Sequence, residues 1–542
     1  MPEAARSLPS AADQRAVKPD KPPIFPPFFI PPAPAEDIFV AVAKPALPES
    51  TRTISMHGLP TKRACSHAAW SPGRASRGSH SEYVTRENEA MLPKRSSLLT
   101  PELDLGPLTR LRRADLATRL ADLFPDAVVP PAGAAAAADW PRGGREAATA
   151  RLSTIDPVAY ARSRNHVSGA VTMLSPWIRH GVLSLAEVRD AALARVARPE
   201  DAEKLVSELA WRDYWRQVHA ALGDGIDHDI ELPAAVPRRP PLDHLPEDVL
   251  AARTGMACID AFVRRLHDTG WLHNHERMWL ASWLVHVRGV HWRTGADWFL
   301  RHLLDGDPAS NHLSWQWVAG TFAARPYLFN RENLETFTSG IHCRGCPVLG
   351  RCDVEGSYDD LAARLFHPAS AATPRPPLRI RPAAPWLPVP DAGAAPPSRP
   401  LVWLTLDAAS AASPAAVAFP ESPRLFVVDP GWLTAERPAL ARLVFLLECL
   451  ADVPGIEIRV GAAVDILTDR AAALGCDGIA LADTPCPRVR RAAGMIAAST
   501  PVVVRDWPAF CDRSRANDLG RFSRYWQAVS RSASLPTRPA TA

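Results

Sequence analysis

Polar residues that could do chemistry concentrate between residues 254 and 321. Asn274, Arg277 and Met278 share one or two turns of a tryptophan-rich helix, and Asp305-Gly306-Asp307 places two carboxylates around a flexible turn. Each feature alone is typical of a helical core, a surface salt bridge or a solvated turn. A buried arginine that faces a buried aspartate loses its hydration, however, and such a pair is retained mainly where a ligand uses it.

A flavin ring is a ligand that would use this combination. Its isoalloxazine needs acceptors for an N–H group, donors for its carbonyls and a polar group beside N5. Trp292, Trp315 and Trp317 add oxidisable side chains to the same segment. The segment therefore indicates a redox cofactor, with a purely structural tryptophan core as the alternative.

A second group of candidate residues consists of cysteines. Cys343, Cys346 and Cys352 have the spacing C-x2-C-x5-C, and three thiols so close in sequence indicate a metal site. The spacing alone leaves an iron–sulfur cluster, a zinc site and free cysteines open.

Composition limits the class of protein. The 542 residues are 47% hydrophobic and 22% charged, which is typical of two to four globular domains. The net charge of +4 excludes a histone-like nucleic-acid binder but leaves a local basic patch open. No apolar run reaches the ~18–20 residues of a membrane helix. Nine cysteines, an odd number, argue against a secreted disulfide scaffold, so we expect a cytoplasmic location. We also expect a monomer without membrane contact.

The distribution of proline and tryptophan indicates where the domains and linkers lie. The 55 Pro and the 17 Trp cluster in different parts of the chain. Residues 1–99 are low in complexity and are predicted to be disordered. Residues 100–142 should form one helix, 108–124, and a linker. Residues 143–367 predict a helical domain with a large core, and a Pro/Ala-rich linker, 368–400, follows.

Residues 401–530 change in pattern. Short apolar runs alternate with helical segments, which is typical of a doubly wound, Rossmann-like parallel sheet. The predicted strands are 401–405, 424–428, 456–460, 478–481 and 501–504, and the predicted helices are 435–451, 463–474 and 487–498. The expected fold is thus a mainly α domain followed by an α/β domain and a tail, 531–542.

Several blocks of the helical part follow one another in a recognisable order. They are Gly143-Gly144-Arg145-Glu146, Tyr160-Ala161, Thr172-Met173-Leu174-Ser175-Pro176, Glu208-Leu209-Ala210-Trp211-Arg212-Asp213-Tyr214, Gly270-Trp271-Leu272-His273-Asn274, Asp305-Gly306-Asp307 and Trp315-Gln316-Trp317. Together they resemble the FAD-binding helical domain of the DNA photolyase/cryptochrome family, over roughly residues 143–330. The resemblance implies that family's fold, FAD as the cofactor and UV-damaged DNA as the partner.

The resemblance also implies the residues of a FAD site. Those beside the phosphates would be Tyr160, Thr172, Met173, Leu174 and Ser175. Those at the flavin and its chain would be Arg212, Asn274, Arg277, Asp305, Gly306, Asp307 and Asn311. Among them Arg277 would pair with Asp305, and Asn311 would lie at N5. Met173 departs from the family, which has Arg there.

Substrate contacts are implied in the same way. They would be Arg164, Glu208, Trp211, Met278 and Trp317. Asn274 and Met278 resemble the branch that repairs cyclobutane dimers rather than (6-4) lesions. Trp211 and Trp317 would stack on the flipped-out dimer, and Glu208 would bond a thymine carbonyl.

Electron transfer would use a tryptophan chain. Trp315 and Trp292 match its first two members, and with Glu208 and Asn311 they form the implied catalytic set. A third tryptophan would fall within residues 222–250, which contain none. Tyr214 or Trp215 is a candidate stand-in.

Two further resemblances concern the cysteines and the α/β domain. Cys258 lies in a Thr-Gly-Met-x-Cys helix similar to one in bacterial iron–sulfur photolyases. A [4Fe-4S] cluster on Cys258, Cys343, Cys346 and Cys352 is therefore implied, with zinc as the alternative. The start of the 401–530 domain resembles the family's antenna domain, which implies a circular permutation and leaves the antenna chromophore undetermined.

We therefore expect a FAD-dependent, blue-light-driven photolyase, a carbon–carbon lyase that splits cyclobutane pyrimidine dimers by electron transfer from reduced flavin. A cryptochrome-like photoreceptor without repair activity is the alternative. A third reading is an iron–sulfur/flavin module that only binds nucleic acid.

Overall fold

The computed structural model describes residues 103–127, 140–368, 377–387 and 396–534. These residues all belong to one compact unit of the chain. The low-complexity segment 1–99 lies outside the described residues, as does the tail from residue 535 onward.

Helices α1 to α13 precede the sheet. They are α1 (Arg113–Leu123), α2 (Arg145–Leu152), α3 (Pro157–Ser163), α4 (Ser175–Arg179), α5 (Leu185–Leu193), α6 (Glu203–Leu222), α7 (Glu247–Leu250), α8 (Ala257–Thr269), α9 (Asn274–Ser282), α10 (Trp292–His302), α11 (Pro308–Ala319), α12 (Arg331–Thr338) and α13 (Tyr358–Leu365). A π-turn, Trp283–Val287, continues α9. No helix in the described ranges is both long and apolar enough to cross a bilayer.

Local signals set the ends of the helices that matter most for the site. Helix α8 ends at Gly270, which has a φ of 64°, and α9 begins with a capping box between His273 and Glu276. Helix α11 begins where the Asp307 side chain accepts from the backbone N–H of Ser310, at 3.3 Å. The last two caps fix the starts of α9 and α11, which together carry six of the candidate residues: Asn274, Arg277, Met278, Asn311, Trp315 and Trp317.

The C-terminal part is a five-stranded parallel sheet in the order β3-β2-β1-β4-β5. Its strands are β1 (Leu401–Leu404), β2 (Arg424–Val428), β3 (Ile456–Val460), β4 (Ile479–Ala482) and β5 (Val502–Arg505). Its helices are α14 (Pro414–Ala418), α15 (Pro430–Glu436), α16 (Leu440–Ala451), α17 (Ala463–Ala473), α18 (Pro487–Ala497) and α19 (Phe522–Ala533). The predicted doubly wound sheet is confirmed, because every residue of β1 and β4 is buried, as strands covered on both faces must be.

Two predicted helices are interrupted, and a proline explains the second interruption. The predicted helix 108–124 is a 3-10 turn, Gly106–Arg110, with Pro107 in its first turn, followed by α1. The predicted helix 435–451 is divided into α15 and α16. Pro438 has no N–H to continue α15, and Arg437 turns the chain with a φ of 44°.

The segment predicted as helix and linker packs on the α/β part. The backbone N–H of Leu105 donates to the Ile458 carbonyl of β3 at 2.8 Å, and Arg113 pairs with Glu448 of α16 at 2.5 Å. A Cβ at Gly143 would lie 2.4 Å from the Phe445 carbonyl, so the two parts approach too closely for a side chain there. One hydrophobic cluster includes residues of both parts.

Candidate functional site

A fully buried carboxylate, Glu208 of α6, is held by two cations. Its Oε1 accepts from Arg164 Nη2 at 2.7 Å and from Lys204 Nζ at 2.5 Å. Its Oε2 has no hydrogen-bond partner among the described residues. Sequence reasoning missed Lys204, although a signal existed: it is the only lysine after Lys94, in a chain that otherwise uses arginine.

The ion pair predicted between Arg277 and Asp305 is present and buried. Arg277 Nη2 lies 2.9 Å from Asp305 Oδ2, and its Nε donates to the Leu272 carbonyl at 3.0 Å. The second carboxylate oxygen of Asp305 is buried without a hydrogen-bond partner in the described part of the chain. Asn274, one turn before Met278, donates to its sulfur at 3.4 Å.

Asp307 stabilises the start of α11 and faces a cation. Its Oδ2 accepts from the Ser310 hydroxyl at 2.8 Å and lies 3.7 Å from Arg212 Nη2. Burial alone would raise the pKa of Asp307, but the charges of Arg212 and Arg179 outweigh it, so the pKa lies well below its ordinary value. Burial lowers the pKa of Arg212 to about 10, while Asp307 acts in the opposite direction.

The turn between the two aspartates is fixed from both parts of the molecule. The Gly306 carbonyl accepts from Arg179 Nε at 2.8 Å and from Arg442 Nη2 at 3.4 Å. Arg442 belongs to α16 of the α/β part, and it also reaches the Leu300 carbonyl. No sequence pattern indicated this contact, because Arg442 is far from the turn along the chain.

Asn311 and the two tryptophans of the predicted electron chain lie on facing helices. Asn311 Nδ2 donates to the Ala296 carbonyl of α10 at 2.8 Å. Trp315, fully buried and one turn further along α11, packs against Gly295, where a Cβ would lie 2.3 Å from its ring. Trp292 begins α10, and its Nε1 donates to Asp229 at 2.6 Å.

Six of the predicted cofactor residues line one cavity. They are Tyr160, Thr172, Met173, Ser175, Asn274 and Arg277. The cavity has a volume of about 30 Å³ and adjoins a space of about 330 Å³ that shares Tyr160, Thr172 and Met173. Met173 adopts a left-handed φ of 54°, and the Tyr160 hydroxyl is buried with no hydrogen-bond partner among the described residues.

The remaining predicted cofactor residues lie elsewhere. Leu174 is fully buried in the hydrophobic core and does not line the cavity. Arg212 and Asp307 line two larger spaces against the α/β part, of about 590 Å³ and 290 Å³. The structure therefore brings the phosphate-side residues together with Asn274 and Arg277, but not with Arg212 and Asp307.

Comparison with known proteins shows which family this region of the chain resembles. Residues 205–339 match the family model described as the FAD binding domain of DNA photolyase. This stretch, from α6 to α12, is similar to the FAD-binding part of the photolyase/cryptochrome family.

Individual photolyases and cryptochromes match only in part. The deoxyribodipyrimidine photo-lyase of Streptomyces griseus is 37% identical over 190 residues, which cover 33% of this chain and 40% of that protein. The chloroplastic/mitochondrial cryptochrome DASH of Oryza sativa is 38% identical over 168 residues, covering 30% of this chain and 28% of that protein. A cryptochrome structure from Synechocystis has 28% identity, covers 38% of this chain and 45% of its own, and gives a TM-score of 0.34. The chain thus spans less than half the length of these photolyase and cryptochrome relatives.

The structure does not place the predicted lesion-stacking residues at an open surface. Trp211 is 6% exposed and stacks on Phe522 of α19, with ring centroids 3.6 Å apart and an interplanar angle of 10°. Met278 is buried, and Trp317 is half-buried against Tyr327. In this arrangement α19 covers the ring of Trp211, and stacking of Trp211 on a flipped-out dimer stays a prediction.

The predicted iron–sulfur site is not supported. In the described ranges, no group of three or more His, Cys, Asp or Glu side chains is arranged to hold a metal ion. Burial raises the pKa of Cys258 to about 12, and the thiols of Cys343, Cys346 and Cys352 add to this effect, so the four lie within electrostatic range of each other. Cys352 donates to the Glu355 carboxylate at 3.6 Å. Metal binding requires converging thiolates, and at least the Cys352 thiol is turned to another partner.

Proposed function

We propose that this protein is a FAD-dependent, blue-light-driven DNA photolyase that splits cyclobutane pyrimidine dimers in UV-damaged DNA, acting as a cytoplasmic monomer. The buried Arg277–Asp305 pair, with one Asp305 oxygen left without a partner, is the observation that carries the proposal. A buried ion pair contributes little net stability, and a buried polar atom without a partner costs about 1–3 kcal/mol. A ligand N–H group would remove that cost.

The described residues fit a flavin nucleotide on the side where they line a common cavity. Arg277, which lines the cavity, provides donors for ring carbonyls. Its partner Asp305 does not line the cavity, and its Oδ1 would provide an acceptor for a ring N–H from behind Arg277. The Thr172 and Ser175 hydroxyls and the Tyr160 hydroxyl provide donors for phosphate oxygens at the same cavity. Arg212 and Asp307 would have to approach this cavity for the whole predicted site to act together.

Bound FAD in its reduced form would supply the one-electron chemistry that opening the cyclobutane ring requires. The protein's own residues bind the cofactor and the lesion, orient them and shield them from water. Asn311 is held by the Ala296 carbonyl and, as a neutral amide, carries no acidic proton for the ring. Glu208 is oriented by its ion pairs with Arg164 and Lys204. A carboxylate accepts but cannot donate, so Glu208 Oε2 suits an imide N–H of thymine rather than the carbonyl expected from the sequence.

A cryptochrome-like photoreceptor without repair activity is the second candidate. The stack of Phe522 on Trp211 favours it, because it occupies the face on which a flipped-out base would stack. Under this reading α19 is a permanent part of the fold rather than a cover that opens.

The test is light-dependent loss of a thymine dimer from a single-stranded oligonucleotide, with protein that contains flavin. Photolyase activity predicts dimer loss in blue light and none in the dark. In the Glu208→Gln variant, the rate of light-dependent dimer loss should be strongly reduced. Flavin photoreduction without dimer loss would reject repair of this lesion and support the photoreceptor.

A further inference from the structure

The loop between α3 and α4 offers hydrogen-bond donors but no charge. Residues 167–178 contain no Lys, Arg, His, Asp or Glu. The backbone N–H groups of Thr172 and Met173 form no hydrogen bond with another described residue, and both residues line the larger cavity, of about 330 Å³. Backbone N–H groups are strong donors that proteins almost always pair. The loop therefore leaves donors for a ligand whose counter-charge must come from another element.

Arg151 of α2 brings a positive charge to this loop. Its Nε donates to the Thr172 carbonyl at 2.7 Å, and its Nη2 donates to the Val171 carbonyl at 2.8 Å. The Arg151 side chain is half-buried and lines the larger cavity. Its Nη1 forms no hydrogen bond in the described part of the chain. Two nitrogens of the guanidinium thus hold the loop, and the third remains a charged donor for a ligand in the cavity.

The other arginines at this site already have carboxylate partners. Arg164 and Arg277, which line the smaller cavity, pair with Glu208 at 2.7 Å and with Asp305 at 2.9 Å, respectively. Arg151 bonds only backbone carbonyls among the described residues. Its charge is therefore the one at this site that no carboxylate compensates.

Two further polar side chains line the larger cavity. Asp156 caps α3, because its Oδ1 accepts from the backbone N–H groups of Val158 and Ala159 at 3.0 and 2.9 Å. Tyr160 is 2% exposed, and its hydroxyl has no partner among the described residues. Burial raises the pKa of Tyr160, so the hydroxyl keeps its proton and can donate. The carboxylate is thus engaged by the helix, whereas the phenol donor is left to a ligand.

The free groups at this cavity define the chemistry of the ligand. One guanidinium nitrogen, two backbone N–H groups and one phenol hydroxyl can all donate, so the ligand must bring several acceptors and negative charge. Phosphate oxygens meet both requirements, and guanidinium groups bind them with matching geometry. The smaller cavity, which shares Tyr160, Thr172 and Met173 with the larger one, also has Asn274 and Arg277 in its lining. A ligand with phosphate groups at one end and a polar ring system at the other fits this arrangement.

We propose that Arg151 provides the positive charge that binds the diphosphate of the flavin nucleotide, and that it thereby selects FAD over flavins without phosphate. The proposal rests on the proposed flavin site. Arg151 acts there in two ways. It holds the carbonyls of the loop so that the N–H groups of Thr172 and Met173 stay open to the ligand, and its Nη1 binds a phosphate oxygen directly.

The experiment is a fluorescence titration of the full-length protein, freed of flavin, with FAD and with riboflavin. Arg151→Gln removes the charge but keeps an amide donor for the loop carbonyls. We expect the dissociation constant for FAD to rise about tenfold or more, and that for riboflavin, which has no phosphate, to change by less than about twofold. Met173→Arg in the Arg151→Gln background should recover FAD affinity, because it returns a guanidinium to the lining of the same cavity.

Arg162→Gln is the matched control, because Arg162 is exposed, lies on the adjacent helix α3 and lines neither cavity. It should leave both dissociation constants unchanged. The role of the Arg151 charge would be overturned by unchanged FAD affinity in Arg151→Gln, by equal losses for FAD and riboflavin, by the same loss in Arg162→Gln, or by a double variant that recovers nothing. Binding of neither flavin by the wild-type protein would instead overturn the proposed flavin site itself.

Discussion

At the scale of single residues, Glu208 depends on two cations from different parts of the chain. Arg164 lies at the C-terminal end of α3 and is 5% exposed, whereas Lys204 lies one turn before Glu208 on α6 and is reached by solvent. Burial lowers the pKa of Lys204, and the charge of Glu208 acts against this shift. Of the two cations that pair with Glu208, Lys204 is therefore the one whose charge depends on its surroundings.

Lys204→Met should weaken dark binding of a thymine-dimer oligonucleotide by about five- to tenfold, corresponding to one charge-assisted hydrogen bond that orients Glu208. Fluorescence anisotropy measures the dissociation constant, and Lys204→Arg should restore much of it. Arg198→Met removes an equal charge close by and should change the affinity little, since Arg198 pairs with Asp201. Equal losses in both Met variants would point to general attraction of DNA instead.

At the scale of elements, α19 determines what α6 can contact. Phe522 covers Trp211, and Tyr525 packs on Tyr214 with ring centroids 5.5 Å apart. The Tyr214 hydroxyl donates to the Leu519 carbonyl at 2.8 Å, just before α19. These aromatic contacts hold α19 against the face of α6 that also carries Glu208.

Phe522→Ala should uncover the Trp211 ring. We expect a red-shifted tryptophan emission, a loss of about 3 kcal/mol in the free energy of unfolding and tighter binding of the dimer oligonucleotide, because a stacking face is released. Trp526→Ala removes an aromatic ring from the same helix without uncovering Trp211 and serves as the control. Unchanged lesion affinity in Phe522→Ala would support α19 as a permanent part of a photoreceptor.

Local patterns were sufficient to predict most elements. The strands β1 to β5 were predictable because strands buried on both faces are apolar runs bounded by turn residues. The Arg277–Asp305 pair was predictable because both residues belong to ordered family motifs. The Trp211–Phe522 stack and the Arg442–Gly306 contact were not, because they join residues that are distant in sequence and depend on how the two parts pack. The iron–sulfur cluster stays a prediction, because cysteine spacing does not fix where the thiols point.

At the scale of the whole molecule, the helical and α/β parts share buried polar contacts as well as a hydrophobic cluster. Asp213 of α6 is fully buried and accepts hydrogen bonds from Arg513 and from the Tyr525 hydroxyl. Burial alone would raise the pKa of Asp213, but Arg513 and these bonds outweigh it, so the pKa is lowered. The ionised form of Asp213 therefore stabilises the packing of the C-terminal segment on α6.

Asp213→Asn should cost about 1–3 kcal/mol at neutral pH, because the partly exposed Arg513 loses its charged partner and the buried Tyr525 hydroxyl loses its charged acceptor. A group whose pKa is lowered by folding stabilises the protein above its unfolded pKa of about 3.9, and this contribution is lost as the pH falls towards the folded pKa. The difference between wild type and variant should thus shrink below about pH 4. Urea unfolding at two pH values measures it, with the exposed Asp512→Asn as control. A difference that does not depend on pH would contradict the role of the charge.

The most direct test of the central claim is the action spectrum of thymine-dimer loss with the reduced, flavin-containing protein. Photolyase activity predicts that dimer loss follows the absorbance of the bound reduced flavin and vanishes in the dark. Bound, photoactive flavin with no dimer loss at any wavelength would contradict it.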